Sequence, residues 1–111
     1  MQVTHQQNGA AIVISIVGNL DALTAPQLTD YINGRIGEGS VKLIVDLARL
    51  DYTSSAGLRV LLSAVKETRS RNGDVRLAAI QPNVMKVLEM SGFTSILKIF
   101  ADVSMAVASY S

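Results

Sequence analysis

The chain has 111 residues, 49% of them hydrophobic and 17% charged, which suits one compact domain over residues 1–111 with an apolar core. It contains no cysteine, which excludes disulfides, thiol nucleophiles and thiolate metal sites. Ten Lys and Arg residues face nine Asp and Glu residues, and only 5% of residues are aromatic, so the composition argues against a nucleic-acid partner.

The termini and apolar runs give no sign of membrane association. The longest nearly apolar run, residues 10–17, is far shorter than the roughly 20 residues that a membrane span requires. Residues 1–5 lack the charged and apolar regions of an export signal. We therefore expect a cytoplasmic protein that does not bind a membrane.

The first predicted elements form a hairpin. Residues 2–7 are weakly strand-like, and residues 10–17 are a short β-branched run typical of a buried strand. Asn8 and Gly9 lie between them, and both tolerate positive φ, which favours a tight turn. The two strands are therefore expected to pair antiparallel.

A loop over residues 18–24 is expected to lead into the first helix. Thr24 can cap this helix with Gln27 as its capping-box partner, and Pro26 suits a first helical turn, where no amide donor is needed. Apolar residues then recur at helical spacing as far as Ile36.

The rest of the chain alternates strands with helices, as judged from apolar runs and apolar stripes. The predicted elements are a strand at 41–47, a loop at 47–56, a helix at 55–70, a strand at 75–80, a helix from 82 to a stop at 92, a strand at 96–100 and a helix from 102. The order β-β-α-β-α-β-α-β-α predicts an α/β fold with a mixed sheet, the hairpin followed by parallel strands. Partners of such sheets engage loops at the carboxyl ends of strands, here the loops at 18–24 and 47–56.

Three consecutive hydroxyl residues, Thr53, Ser54 and Ser55, lie where the second of these loops passes into a helix. A helix N-terminus exposes free amide donors and the positive end of the helix dipole, so it receives an anion readily. A phosphate added there would bring a charge of about −2 and change what can dock, without unfolding the helix. Simple N-capping also explains hydroxyls at this position, so both interpretations stay open.

Residues 52–61 resemble the signature of the STAS domain found in bacterial anti-sigma factor antagonists. Three other segments resemble the family in order and spacing: residues 18–26, with a G-x-L-D sequence and a helix opening, residues 43–47 and residues 87–93. The resemblance spans nearly the whole chain and implies a single STAS domain over residues 1–111.

The resemblance implies a protein-binding switch. In that family, a partner that is both a serine kinase and an anti-sigma factor phosphorylates a serine at the start of the second helix. The unphosphorylated protein binds this partner, with its bound ATP or ADP, and frees the sigma factor. The phosphorylated protein is released, and a PP2C-type phosphatase restores it. We expect the free protein to be a monomer.

The family's acceptor position corresponds to Ser55, two residues before the Gly-Leu pair. Many members carry Asp directly before the acceptor, whereas this chain has Ser54, which is therefore an alternative acceptor; Asp51 could partly replace the missing carboxylate. Gly57 either allows a close approach or packs its helix against a strand. By the same resemblance, the expected partner contacts are Asp21, Thr24, Asp51, Tyr52, Thr53, Ser54, Ala56, Gly57 and Arg59.

Other functions are less well supported by the sequence. The STAS fold also serves as a scaffold or complex subunit that is not phosphorylated. A receiver-like domain would use Asp46 as its phosphoacceptor, but residues 18–21 supply one acid where that family needs a pair. We therefore interpret Asp46 as a structural acceptor for loop amides.

No enzyme activity is expected. The single histidine, His5, is distant in sequence from the serines, and the G-x-S-x-G elbow of a hydrolase is missing. One histidine and no cysteine also make a metal site improbable, and no cofactor is predicted. Met85, Met90 and Met105 are expected to pack in the core or at its rim.

Overall fold

The computed structural model describes all 111 residues and contains one five-stranded mixed sheet. The first strand pair is antiparallel and the other three pairs are parallel, in the order β1-β2-β3-β4-β5. The predicted fold class and element order are confirmed. The elements are β1 (Gln2–Asn8), β2 (Ala11–Leu20), α1 (Ala25–Gly37), β3 (Lys42–Thr53), α2 (Ser55–Arg69), β4 (Asp74–Ala78), α3 (Pro82–Met90), a 3-10 turn (Phe93–Ser95), β5 (Lys98–Phe100) and α4 (Val103–Ala108).

The helices cover both faces of the sheet unequally. The main core lies beneath α1, α2 and α3, where Leu28, Leu61 and Leu88 are fully buried against the strands. Each such side chain stabilises the fold by about 1.5–3 kcal/mol through the apolar area it removes from water. On the other face α4 packs alone and buries Ala106 over Ile44. No helix combines the length and the apolar character needed to cross a bilayer.

Tyr110 attaches the end of α4 to the sheet. Its hydroxyl lies 2.8 Å from the Leu43 carbonyl oxygen and 2.7 Å from that of Asp74, and it donates to these acceptors. The Arg76 guanidinium lies over its ring, 3.9 Å from the ring centre. Burial raises the pKa of the Tyr110 phenol above its ordinary value, so the group stays protonated and remains a donor at physiological pH.

Two strands extend further than predicted, which corrects the loops expected at 18–24 and 47–56. β2 continues to Leu20 and β3 continues to Thr53, and these extensions pair with each other through register shifts. The connection before α1 is therefore confined to residues 21–24. β4 reaches only as far as Asp46 of β3, so residues 47–53 have β2 as their only strand neighbour.

The last two strands are shorter than predicted. β4 ends at Ala78 because Ala79 adopts a left-handed backbone conformation, with φ of 59°. The strand expected from residue 96 begins at Lys98, because the preceding residues form a 3-10 turn and the amide of Leu97 donates to the Phe93 carbonyl.

Candidate functional site

The hydroxyl cluster lies where β3 ends and α2 begins, and it is anchored to the end of β2. The Ser54 amide donates to the Leu20 carbonyl at 3.1 Å, and the Thr53 hydroxyl donates to the same carbonyl at 2.9 Å. Ser54 has an extended backbone and occupies the N-cap, where its Oγ accepts from the Gly57 amide at 3.1 Å. These bonds set the direction in which the chain enters α2.

The two candidate acceptor serines have different environments. Ser54 is half-buried and its hydroxyl caps the helix. Ser55 is the first residue of α2 and is exposed, and its Oγ has one side-chain partner, the Ser91 Oγ at 3.2 Å. The hydroxyl that an external enzyme can reach without breaking a helix cap is therefore that of Ser55.

Ser54→Ala is expected to lower the free energy of unfolding by about 1 kcal/mol, because the Gly57 amide loses its cap acceptor. Ser55→Ala is expected to change it by less than about 0.5 kcal/mol, since Ser55 is exposed and does not cap the helix. Urea denaturation of both variants checks this difference. A larger loss for Ser55→Ala would contradict the assignment of Ser54 as the cap.

Large apolar side chains are exposed at the same edge of the sheet. Tyr52 is 52% exposed and Met90 is 84% exposed, and both line a shallow groove that also contains Ser55. Leu23, in the connection between β2 and α1, is 90% exposed. Large apolar side chains exposed near one another are a candidate protein contact surface. We call Leu23, Tyr52, Ser55 and Met90 the docking surface.

Leu23 and Met90 were missed by the sequence analysis. Met90 and Met105 were expected to pack in the core or at its rim, and their exposure corrects that expectation, whereas Met85 packs against the main core as expected. A weak signal existed, because Met90 falls outside the buried stripe that Val84 and Leu88 form on α3. Leu23 precedes the helix in a short loop, where no periodic pattern indicates burial or exposure.

The connection before α1 is ordered by Asp21. Its Oδ1 accepts from the amides of Leu23 and Thr24, at 2.9 and 3.1 Å. The Thr24 hydroxyl donates to the Asn19 carbonyl at 3.0 Å, and its backbone is helical. The predicted capping box with Gln27 is therefore wrong, because the hydroxyl bonds within the loop and makes no cap bond to α1.

Asp51 is exposed on the part of β3 that extends beyond β4, and it contacts the start of α3. Its carbonyl accepts from the Asn83 side-chain amide at 2.6 Å. The Gln81 side-chain amide donates to the Ala48 carbonyl at 3.0 Å and lies 3.5 Å from the Asp51 Oδ1. Asp51 thus ties α3 to β3, and its carboxylate makes no hydrogen bond to Ser55.

Two of the predicted contact residues lie in the interior, which corrects the expectation that they form surface. Thr53 is only 1% exposed. Gly57 is also buried, and a Cβ added there would lie 2.5 Å from the Leu20 carbonyl oxygen. Gly57 is therefore required for the packing of α2 against β2, the second of the two roles considered for it.

Ala56 and Arg59 are exposed on α2, as a contact role requires. Both line a groove between α1 and α2 together with Asn33 and Val60. Arg59 follows Ser55 by about one helical turn and is absent from the ion pairs of the chain. It is thus a free cation near the docking surface.

His5 and Asp46, which were considered for other functions, form hydrogen bonds with residues outside the docking surface. His5, on β1, packs edge-on against Tyr31 and hydrogen bonds to Tyr31 and Arg35. The Asp46 carboxylate accepts from the Ala48 amide at 3.0 Å, which agrees with the structural role expected of it. No three His, Cys, Asp or Glu side chains converge closely enough to hold a metal ion.

Comparison with known proteins assigns the family. A model of the STAS domain matches residues 2–106. BtrV of Bordetella bronchiseptica, whose name groups it with the anti-sigma factor antagonists, is 33% identical over 110 residues, which cover 99% of this chain and 95% of that protein. The chain belongs to the STAS domain family, among the anti-sigma factor antagonists.

Solved structures show the same fold. The protein tm1081 of Thermotoga maritima has a TM-score of 0.90 at 18% identity and covers 96% of this chain and 92% of its own. SpoIIAA of Bacillus, solved in a phosphorylated form, has a TM-score of 0.74 at 22% identity and covers 99% of this chain and all of its own (100%).

Proposed function

We propose that this protein is an anti-sigma factor antagonist whose binding is switched by phosphorylation of Ser55. Unphosphorylated, it binds an anti-sigma factor that is also a serine kinase and holds ATP or ADP, and so frees the sigma factor. Phosphorylation releases it, and a PP2C-type phosphatase restores it. The proposal places the protein in the cytoplasm, where sigma factors and ATP are found.

The observation that carries the proposal is the position of Ser55. Its hydroxyl is exposed at the first residue of α2, in the same groove as Tyr52 and Met90. A partner that covers these apolar side chains must also cover the serine. The relatives named as anti-sigma factor antagonists support the class of partner.

The switch follows from the cost of burying charge. An unmodified Ser55 is a small neutral group that can be covered by a partner. A phosphate there carries about −2 charges, which must lose their hydration when the interface closes. The carboxylate of Asp21, at the same edge of the sheet, adds a further negative charge. Release is therefore the expected consequence of phosphorylation.

Ser55 is favoured over Ser54 as the acceptor. In the transfer, the Oγ of the acceptor attacks the γ-phosphorus of ATP, its proton passes to a carboxylate base of the kinase, and ADP leaves. Ser54 Oγ would have to leave the Gly57 amide to take part, which costs the helix cap. Ser55 meets no such requirement, because its hydroxyl is exposed and does not cap the helix.

The proposal is tested by incubating the protein with ATP and a purified anti-sigma factor kinase from the source organism. Intact-mass spectrometry is expected to show one added phosphate in the wild type and in Ser54→Ala, and none in Ser55→Ala. A phosphate that survives in Ser55→Ala would contradict the assignment of the acceptor. Stable binding with no phosphate in any variant would instead indicate an unphosphorylated scaffold.

A further inference from the structure

Ser91 is held in a defined position by the end of α3. It is the C-cap residue, and its amide donates to the Val87 carbonyl at 3.0 Å. Gly92 follows in a left-handed conformation, with φ of 74°, and turns the chain away into the 3-10 turn. The position of Ser91 is therefore fixed by the hydrogen-bonded end of α3.

The hydroxyl of Ser91 contacts that of Ser55, and the two Oγ atoms are 3.2 Å apart. The two residues are separated by 36 positions in the sequence. The distance between the Oγ atoms exceeds the common O–H···O distance of about 2.7–2.8 Å, so the bond is weak. A weak, exposed bond contributes little to stability. It does, however, place a rotatable hydroxyl donor within reach of any group added to Ser55.

We propose that Ser91 is a positioning residue that donates a hydrogen bond to the phosphate on Ser55; the inference rests on the proposed switch. Phosphorylation replaces the hydroxyl proton of Ser55, so its Oγ becomes an ester oxygen that can no longer donate. The terminal phosphate oxygens are strong acceptors, and a hydroxyl donor to them forms a short, charge-assisted bond. Ser91 then holds the dianion beside Met90.

The two helix ends that meet at Ser55 and Ser91 act on an anion in opposite senses, because the N-terminus of α2 attracts it and the C-terminus of α3 repels it. The last carbonyls of a helix carry partial negative charge, which repels a phosphate. Within four residues of Leu23, Tyr52, Ser55 and Met90 along the chain, the charged side chains are Asp21, Asp51 and Glu89, which are negative, and Arg49, Arg59 and Lys86, which are positive. Bonded to Ser91, the phosphate stays over the docking surface instead of turning into solvent.

The test uses the full chain with phosphoserine incorporated at position 55 during translation, so that no kinase is required. The second ionisation of the phosphate is followed by ³¹P NMR in the wild type, Ser91→Ala and Ser91→Thr. A donor to the dianion lowers its pKa, so we expect the pKa of the phosphate to be about 0.5 unit higher in Ser91→Ala. Ser91→Thr, which keeps the hydroxyl, is expected to restore the wild-type value.

Ser95→Ala is the matched control, because the Ser95 hydroxyl donates to the Gly92 carbonyl at 2.8 Å and not to Ser55. This substitution is expected to leave the pKa of the phosphate unchanged. Equal pKa values in the wild type and Ser91→Ala, with amide spectra showing both folded, would overturn the proposal. So would a shift in Ser91→Ala that Ser91→Thr fails to reverse. Because the phosphate is installed without a kinase, these outcomes are independent of whether Ser55 is the acceptor in the cell.

Discussion

Ser55→Asp is expected to bind the anti-sigma factor at least about a hundredfold more weakly than the wild type, a loss of about 2.7 kcal/mol. Ser55→Ala is expected to bind within about threefold of the wild type. The carboxylate must be desolvated in the groove that contains Tyr52 and Met90, whereas a methyl group leaves this surface neutral. Isothermal titration calorimetry with the purified, ADP-loaded anti-sigma factor measures both affinities.

Ser104→Asp is the matched control for this comparison. Ser104 is exposed in the first turn of α4, so the substitution also adds a carboxylate near a helix N-terminus. α4 covers the sheet face opposite α2, away from the docking surface. The Ser104→Asp variant is expected to bind the anti-sigma factor with the wild-type affinity. Equal affinities for Ser55→Asp and Ser55→Ala would show that charge at this position does not control binding.

Gly57→Ala is expected to lower the free energy of unfolding by about 1–3 kcal/mol, the usual cost of overpacking a tight contact. The added Cβ would lie 2.5 Å from the Leu20 carbonyl oxygen and 2.8 Å from its carbon. That carbonyl accepts from the Ser54 amide and the Thr53 hydroxyl, so it cannot move away without weakening both bonds. Urea denaturation measures the loss.

Gly34→Ala is a control for which the opposite change in the free energy of unfolding is expected. Gly34 is exposed within α1, and nothing lies within 4 Å of a Cβ added there. Alanine favours the helix over glycine, so this substitution is expected to raise the free energy of unfolding by about 0.5–1 kcal/mol. If both glycine substitutions changed stability in the same direction, close packing at Gly57 would not explain its effect.

The order of the elements could be predicted because each helix or strand is indicated by the pattern of apolar residues within its own segment. The β-branched run around Ile14 and the helical stripe that includes Leu61 each indicate one type of element without knowledge of their neighbours. The extensions of β2 and β3 could not be predicted in this way. Polar residues such as Asn19 and Asp51 interrupt the apolar pattern there, and pairing between the two strands extends both of them.

Part of the candidate site could also be predicted from a local sequence pattern. Ser55 was located from a contiguous segment that resembles a known signature. The exposure of Leu23 is not encoded in any local pattern, and that of Met90 is indicated only weakly, by its position outside the buried stripe of α3. The contact between Ser55 and Ser91 joins residues 36 positions apart, so it emerges only from the folded chain.

The extension of β3 beyond β4 affects how the docking surface can move. Residues 47–53 have one strand beside them, so opening of this end of the sheet would not require β3 to separate from β4. Segments with fewer neighbours open at a smaller free energy than the whole domain. The side chains of Gln81 and Asn83 limit such opening by bonding to β3 from α3. Tyr52, which belongs to the docking surface, therefore lies on a part of β3 whose opening would leave the central strands paired.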